Sequence, residues 1–229
     1  DIGLMIDAHS GWRMGNKTYS PATRLILANA MAEFHPTWLE EPLPPENHEA
    51  YSKLKEKAQF PIATGEHEPN EEGFMDLFDK RCTDFIQMDV CCQGGFAMAK
   101  RIFEKVKEYE LRFAFHSWGT NLEVLAAAHL GVCWEEDVVE WLEFPCYSSA
   151  NSPGMYPFAA ATEILKDPLE IEEGYLIMPD GPGLGITIDE RIVEKYPFIQ
   201  GPWSYFKIDN PPETVAVTGD HSIKWIEGV

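Results

Sequence analysis

The chain has 229 residues, 45% of them hydrophobic and 12% aromatic, which is the composition of a globular protein and excludes a disordered one. Acidic residues outnumber basic ones 38 to 18, for a formal net charge of −20. That balance excludes nucleic acid and anionic membranes as partners, because both are held through basic footprints. An anionic substrate would in turn need a local positive charge, most simply a metal ion.

Strand and helix signals alternate along the chain. Residues 3–8 predict a buried parallel strand and residues 10–20 a long polar loop. Pro21 opens a helix predicted over 21–34, with Ser20 as its N-cap. A strand at 37–41 is stopped by Pro42, and a helix is predicted over 48–58. A strand at 61–65 runs through Gly65-Glu66-His67-Glu68 towards a helix at 70–80. The strand at 84–89 leads into Gly94-Gly95 and a helix at 95–109, with an apolar stripe at Phe96, Ala99, Ile102, Phe103 and Val106. A strand at 112–116, an alanine-rich helix at 120–132 and a strand at 138–143 follow. Beyond them the alternation weakens. Residues 146–158 are rich in Ser, Pro and Gly, Ile171–Met178 reads as a hairpin, and Asp180–Gly185 reads as turns.

Six apolar runs end in a charged or titratable residue: Asp7, Glu40, Glu66, Asp89, His116 and Glu143. Successive ends lie 33, 26, 23, 27 and 27 residues apart. One βαβ repeat takes roughly 30 residues, and in a (β/α)8 barrel the C-terminal strand ends share one mouth where the chemistry sits. The spacing therefore predicts an α/β chain with a TIM-type (β/α) barrel, of which about six βα units are visible. Residues 1–145 are assigned to a partial barrel and residues 146–229 to a C-terminal segment packing on it. The chain opens directly on a strand, so we expect a barrel truncated at its N-terminus. The five cysteines, Cys82, Cys91, Cys92, Cys133 and Cys146, show no CxxC spacing and read as reduced, small apolar residues of a cytoplasmic protein. No apolar run is long enough to span a membrane.

Asp7, Glu40 and Glu66 end three successive strands, and three carboxylates forced together repel unless a cation joins them. An all-oxygen set suits Mg²⁺. Glu41 and Glu68 compete for these roles, because side chains alternate along a strand and the sequence does not decide which acid turns inward. Asp89 and His116 end neighbouring strands and are expected to pair, the carboxylate orienting the imidazole as a base. Glu143 is a candidate proton or hydrogen-bond donor. His9, two residues after Asp7, is a candidate acid opposite His116. Trp12, Arg13, Trp118 and Asn121 are candidate substrate contacts. His35, His48, His129 and His221 lie away from strand ends and read as surface or packing residues.

Trp38-Leu39-Glu40-Glu41-Pro42, Gly65-Glu66, Gln87-Met88-Asp89 with Gly94-Gly95 after it, Phe115-His116-Ser117 and Trp141-Leu142-Glu143 resemble the barrel of the enolase superfamily, mandelate racemase subgroup. The resemblance implies that Asp7, Glu40 and Glu66 bind Mg²⁺, that His116 with Asp89 is the general base, and that Glu143 donates a hydrogen bond to the intermediate. The chemistry implied is removal of the proton α to a carboxylate, with an enediolate intermediate. The Asp7-x-His9 pattern resembles galactonate and mannonate dehydratases, where the His expels a β-hydroxyl, and Gly65-Glu66-His67-Glu68 resembles rhamnonate dehydratases. The expected function is dehydration of a sugar acid, an aldonate or aldarate. Racemisation or epimerisation of a 2-hydroxy acid, or an inactive truncated barrel, are the alternatives. Members of this family carry an N-terminal capping domain and a Lys-x-Lys or its equivalent on the early strands, and neither is in this sequence. A homo-oligomer is expected of the full-length protein.

Overall fold

The computed structural model describes residues 2–9, 21–145 and 159–197. The predicted alternation is present as β1 (Met5–Asp7), α1 (Pro21–Met31), β2 (Trp38–Glu40), α2 (His48–Lys55), β3 (Ile62–Thr64) and α3 (Glu71–Asp79). It continues through β4 (Phe85–Met88), α4 (Gly95–Glu108), β5 (Arg112–Phe115), α5 (Asn121–Gly131) and β6 (Val139–Leu142). The six strands form one parallel sheet in sequential order, with a helix after each of the first five. Unreversed winding of this kind is how a (β/α) barrel is built. Further along lie α6 (Ala159–Glu163), the predicted hairpin as β7 (Ile171–Glu172) and β8 (Tyr175–Leu176), and α7 (Ile192–Lys195).

Register decides what each face of the sheet carries. Met5 pairs with Trp38 and Asp7 with Glu40, Glu40 pairs with Ala63, and Ala63 with Phe85. With a side-chain period of two, Met5, Asp7, Trp38, Glu40, Ala63, Phe85 and Gln87 share one face. Trp38, Ala63, Phe85 and Ala114 pack into a cluster there, with Met5 against it. The opposite face presents Leu39, Ile62, Ile86 and Met88, all buried. One face is thus an apolar floor that turns acidic at its C-terminal edge. Arg112, at the start of β5, pairs with Glu140 and lies 4.0 Å over the Phe85 ring.

Three of the helices open on a side-chain cap. Asn47, Asn70 and Thr120 accept backbone N–H bonds from Ala50, Gly73 and Leu122 at the starts of α2, α3 and α5. α4 starts without a side-chain cap at Gly94, φ +79°, where an added Cβ would sit 2.6 Å from Met98 Sδ. It buries Met98, Ala99, Ile102, Phe103 and Val106. Phe96, expected in that stripe, is 49% exposed in the first turn of α4. Phe103 meets Phe113 of β5 edge to face at 4.6 Å, a geometry worth about 0.5–1.5 kcal/mol beyond the area buried.

The chain forms two compact units. Among the described residues the first holds those up to Ala114 with Glu136–Trp141, and the second holds Phe115–Glu135 and those from Leu142 onward. No described helix is long and apolar enough to cross a membrane. The four described cysteines form no disulfide, as expected, but only Cys82 is buried as a small apolar residue, whereas Cys91, Cys92 and Cys133 are exposed. Cys82 sits under α2 and donates to His48 O at 3.2 Å. Cys91 and Cys92 occupy an exposed turn after β4, and Cys133 follows the end of α5. Cys146 lies outside the described residues.

Candidate active site

In the first unit the strand ends place Asp7 and Glu40 side by side in register. Glu40 is 9% exposed, and its Oε2 accepts from Trp38 Nε1 at 3.1 Å. It meets no lysine or arginine among the described residues. A buried carboxylate without a cationic partner is costly, and among the described residues no side-chain cation offsets the charge of Glu40. Gln87, further along the same face on β4, is also buried, and its Oε1 has no hydrogen-bond partner among the described residues.

Imidazoles gather around Glu66, whose side chain is 4% exposed. His9 Nδ1 lies 3.5 Å from Glu66 Oε1 and 3.6 Å from Asp7 Oδ2, so it bridges the ends of β1 and β3. His67 Nδ1 lies 3.3 Å from Glu66 Oε1 and 2.7 Å from Glu41 Oε1. The His9 and His67 ring centroids are 5.6 Å apart. Donor atoms of His9, Glu66 and His67 fall within 4.8 Å of one another.

Two residues of this cluster have left-handed backbones, His9 at φ +40° and Glu41 at φ +36°. Side chains other than glycine rarely adopt this region, and such strain concentrates at functional sites. It also answers the Glu40 and Glu41 question left open by alternation. Glu40 stays on the strand face with Trp38. The reversed backbone at Glu41 breaks the alternation and carries that buried carboxylate to His67.

Glu68, the other competitor, points elsewhere. Its Oε1 is 2.8 Å from His48 Nε2, while His48 Nδ1 is 2.6 Å from Asp76 Oδ2. The hydrogen bond to Glu68 raises the pKa of His48 above its ordinary value, Asp76 adds to this, and desolvation opposes it. His48 is therefore a packing residue that ties α2 to α3 and to the turn after β3.

That turn is itself gripped. Gly65 has φ +134°, and an added Cβ would run into Gln87 O. Gln93, buried beneath the next turn, donates from Nε2 to Gly65 O at 2.7 Å and Glu68 O at 2.6 Å. Its Oε1 accepts from Asp89 N at 2.7 Å. Asp89 Oδ1 accepts from the backbone N–H groups of Cys91 and Cys92 at 2.8 and 2.9 Å.

In the second unit Glu143 N donates to Phe115 O at 3.1 Å, and Glu143 Oε2 accepts from Ser117 N at 2.7 Å. His116 Nε2 lies 4.0 Å from Glu143 Oε2. The backbone after His116 is shaped by Glu123, a buried acid on α5 whose Oε1 accepts from Trp118 N at 2.7 Å. Trp118 itself is 40% exposed.

The predicted residues are therefore placed as follows. Asp7 and Glu40 are neighbours in register, Glu66 joins His9 and His67, and His116 joins Glu143. Asp89 belongs to the first unit and His116 to the second. Trp12 and Arg13 lie outside the described residues. Sequence reasoning did not single out His67, Gln93 or Glu123. Of these, only His67, one residue past Glu66, carried a signal in its position. The first unit offers oxygen donors of the type a hard divalent cation takes, while the donor atoms that lie within 4.8 Å of one another there are those of His9, Glu66 and His67. Asp7, Glu40 and Glu66 offer carboxylate oxygens, Glu40 and Glu66 are nearly shut off from water, and Gln87 leaves a buried carbonyl oxygen over on the same sheet face.

A sequentially wound parallel sheet with acids and imidazoles at its strand ends defines a (β/α)-barrel protein with its chemistry at the C-terminal edge. Residues 1–192 match the family model described as Enolase C-terminal domain-like, and the chain belongs to that family. It is 30% identical over 196 residues to D-galactarolactone cycloisomerase of Agrobacterium fabrum, across 86% of this chain and 49% of that protein. It is 28% identical over 228 residues to D-galactonate dehydratase family member RspA of Pantoea ananatis, across 97% of this chain and 47% of that protein. The crystal structure of an enolase from Pantoea ananatis with bound D-gluconate and Mg matches with a TM-score of 0.70 at 27% identity, covering 87% of this chain and 44% of that one. The chain spans about half the length of the curated relatives it matches.

Proposed function

We propose that this chain is the metal- and base-bearing part of an Mg²⁺-dependent dehydratase acting on a sugar acid, an aldonate or aldarate. The observation that carries the reading is the register pair of Asp7 and Glu40, with Glu40 buried and without a cationic partner among the described residues. It is supported by relatives named as a D-galactonate dehydratase family member and a D-galactarolactone cycloisomerase, and by a related structure with bound D-gluconate and Mg.

Asp7, Glu40 and Glu66 would hold the ion. When bound, Mg²⁺ supplies the positive charge that offsets the negative charge developing on the substrate carboxylate as its α proton leaves. His116 takes that proton, with Asp89 as its orienting acid, a pairing assigned from the family resemblance. Glu143 donates a hydrogen bond to the developing anion. Its Oε2 is engaged by the Ser117 N–H, so donation falls to Oε1. His9 gives a proton to the departing β-hydroxyl, so that one C–H and one C–O bond break, water leaves and an enol forms that tautomerises to the 2-keto-3-deoxy acid. Trp12, Arg13 and Trp118 are assigned to the substrate.

The test is incubation of the protein with Mg²⁺ and a panel of aldonates and aldarates, with assay for 2-keto-3-deoxy acids and for exchange of the α proton in D₂O. Product from one acid, lost in His116→Asn, is the expected result. Exchange without product points instead to a racemase or epimerase. Magnesium binding with neither exchange nor product refutes catalysis by this chain. The named cycloisomerase relative favours one further arm. A sugar-acid lactone presents its β-leaving group within a ring, and consumption of lactones but not open acids would identify a cycloisomerase.

A further inference from the structure

We propose that Gln93 is a positioning residue that locks the Glu66-bearing turn to the Asp89-bearing turn and so sets the geometry of the metal pocket. The inference rests on the proposed reading of Glu66 as a metal ligand.

Three hydrogen bonds of 2.6–2.7 Å exhaust what one carboxamide does best. Gly65 O and Glu68 O can only accept, and Asp89 N–H can only donate, so the amide has a single orientation that satisfies all three. The residue is 3% exposed, and water does not compete for these bonds. The two carbonyls bracket Glu66 in sequence. Gly65 is pressed against the backbone of β4 at Gln87, and no side chain larger than hydrogen fits there. The Gly65–Glu68 turn is thus held between Gln87 below and Gln93 beside it. The Glu66 backbone has little room to move unless Asp89 N moves with it.

Rigid placement of this kind matters for a cation site. Mg²⁺ demands near-ideal octahedral geometry at about 2.0–2.1 Å, and groups that orient ligands typically account for about 10–100-fold of metal affinity. Gln93 is well placed to act this way because it grips backbone on both sides of the ligand. It leaves the Glu66 carboxylate, flanked by His9 and His67, to face the ion.

The experiment is calorimetric titration of Mg²⁺ into the wild-type chain and into Gln93→Met, which preserves length and volume but removes all three bonds. Thermal melts in EDTA are run beside it. The expected result is a Kd for Mg²⁺ weakened about 10-fold or more in the folded variant. A lower melting temperature in EDTA with an unchanged Kd would assign Gln93 a purely structural role and overturn the proposal. A wild-type chain that binds no Mg²⁺ would sink the metal reading and this proposal together. Wild-type binding with equal binding by Gln93→Met would sink this proposal alone. Should Gln93→Met fail to fold, hydrogen exchange on the wild-type chain decides. Magnesium is expected to raise protection of residues 65–68 and 89–93 together, and protection confined to 65–68 overturns the coupling.

Discussion

Replacing Glu40 by Gln is expected to stabilise the metal-free chain and to remove most of its stabilisation by Mg²⁺. Gln keeps the shape and an acceptor for Trp38 Nε1 but removes the charge. Three effects set the magnitude. The Asp7 partner across the register lies one strand spacing away, about 4.8 Å, and two unit charges at that distance repel by about 3 kcal/mol at an effective dielectric of about 20. Asp7 is 49% exposed, so solvent screening reduces this to about 1 kcal/mol. Burial of Glu40 without a cation costs about 2 kcal/mol or more. Against these, the Trp38 hydrogen bond loses its charge-assisted part, about 1 kcal/mol. The net is a gain of about 2 kcal/mol, or about 4–8 °C in melting temperature for a chain of this size. With Mg²⁺ at a hundred times its Kd the wild type gains about 2.7 kcal/mol, and a variant lacking one ligand gains far less. Melts in EDTA and in saturating Mg²⁺ should therefore rank the two proteins in opposite orders. A Glu40→Gln protein that melts below wild type in EDTA, or one that keeps the full Mg²⁺ shift, refutes the reasoning.

Gly65→Ala combines a φ of +134° with a clash against Gln87 O and should cost about 2–4 kcal/mol in urea unfolding; a wild-type midpoint would show that the turn is free to relax. His48, its pKa raised chiefly by Glu68, contributes stability that is fully present below pH about 6.5 and is lost as pH rises through the raised folded value. The stability gap between wild type and His48→Gln should therefore narrow as pH rises from about 6.5 through the raised folded value, and a gap that stays constant contradicts the ion-paired geometry. Phe103→Ala removes a fully buried ring stacked edge-on to Phe113 and should cost about 3–5 kcal/mol by chemical denaturation, whereas a loss below about 1 kcal/mol would mean that α4 packs otherwise. The Cys82 thiol is pushed up to about 12 by burial, so it should resist a thiol reagent at neutral pH until the chain unfolds, while Cys91 and Cys133 react in the native state. Native labelling of Cys82 as fast as theirs would count against its burial.

Much of the fold was legible because its signals are local. Apolar runs with Gly and Pro punctuation mark strands, and a 3.6-residue stripe marks α4, so the order of elements follows from adjacent residues alone. Even the register pair of Asp7 and Glu40 was within reach, since parallel strands of one length that end in acids bring those acids level. Phe96 was misread because periodicity says which side of a helix is apolar but not how far along that side the sheet extends.

By itself, then, the sequence determined the winding order of the barrel and the acidic edge at which its strands end. Tertiary structure alone decided which side chains meet there. Glu41 joins His67 because its backbone turns left-handed at φ +36°, a conformation that its residue type does not announce. Glu68 leaves the acidic edge because His48, 20 residues away, captures it. Gln93 is a plain glutamine in a turn until Gly65 and Glu68, 28 and 25 residues away, converge on its amide. Contacts of this range depend on how the turns pack, and no local pattern of residues records them.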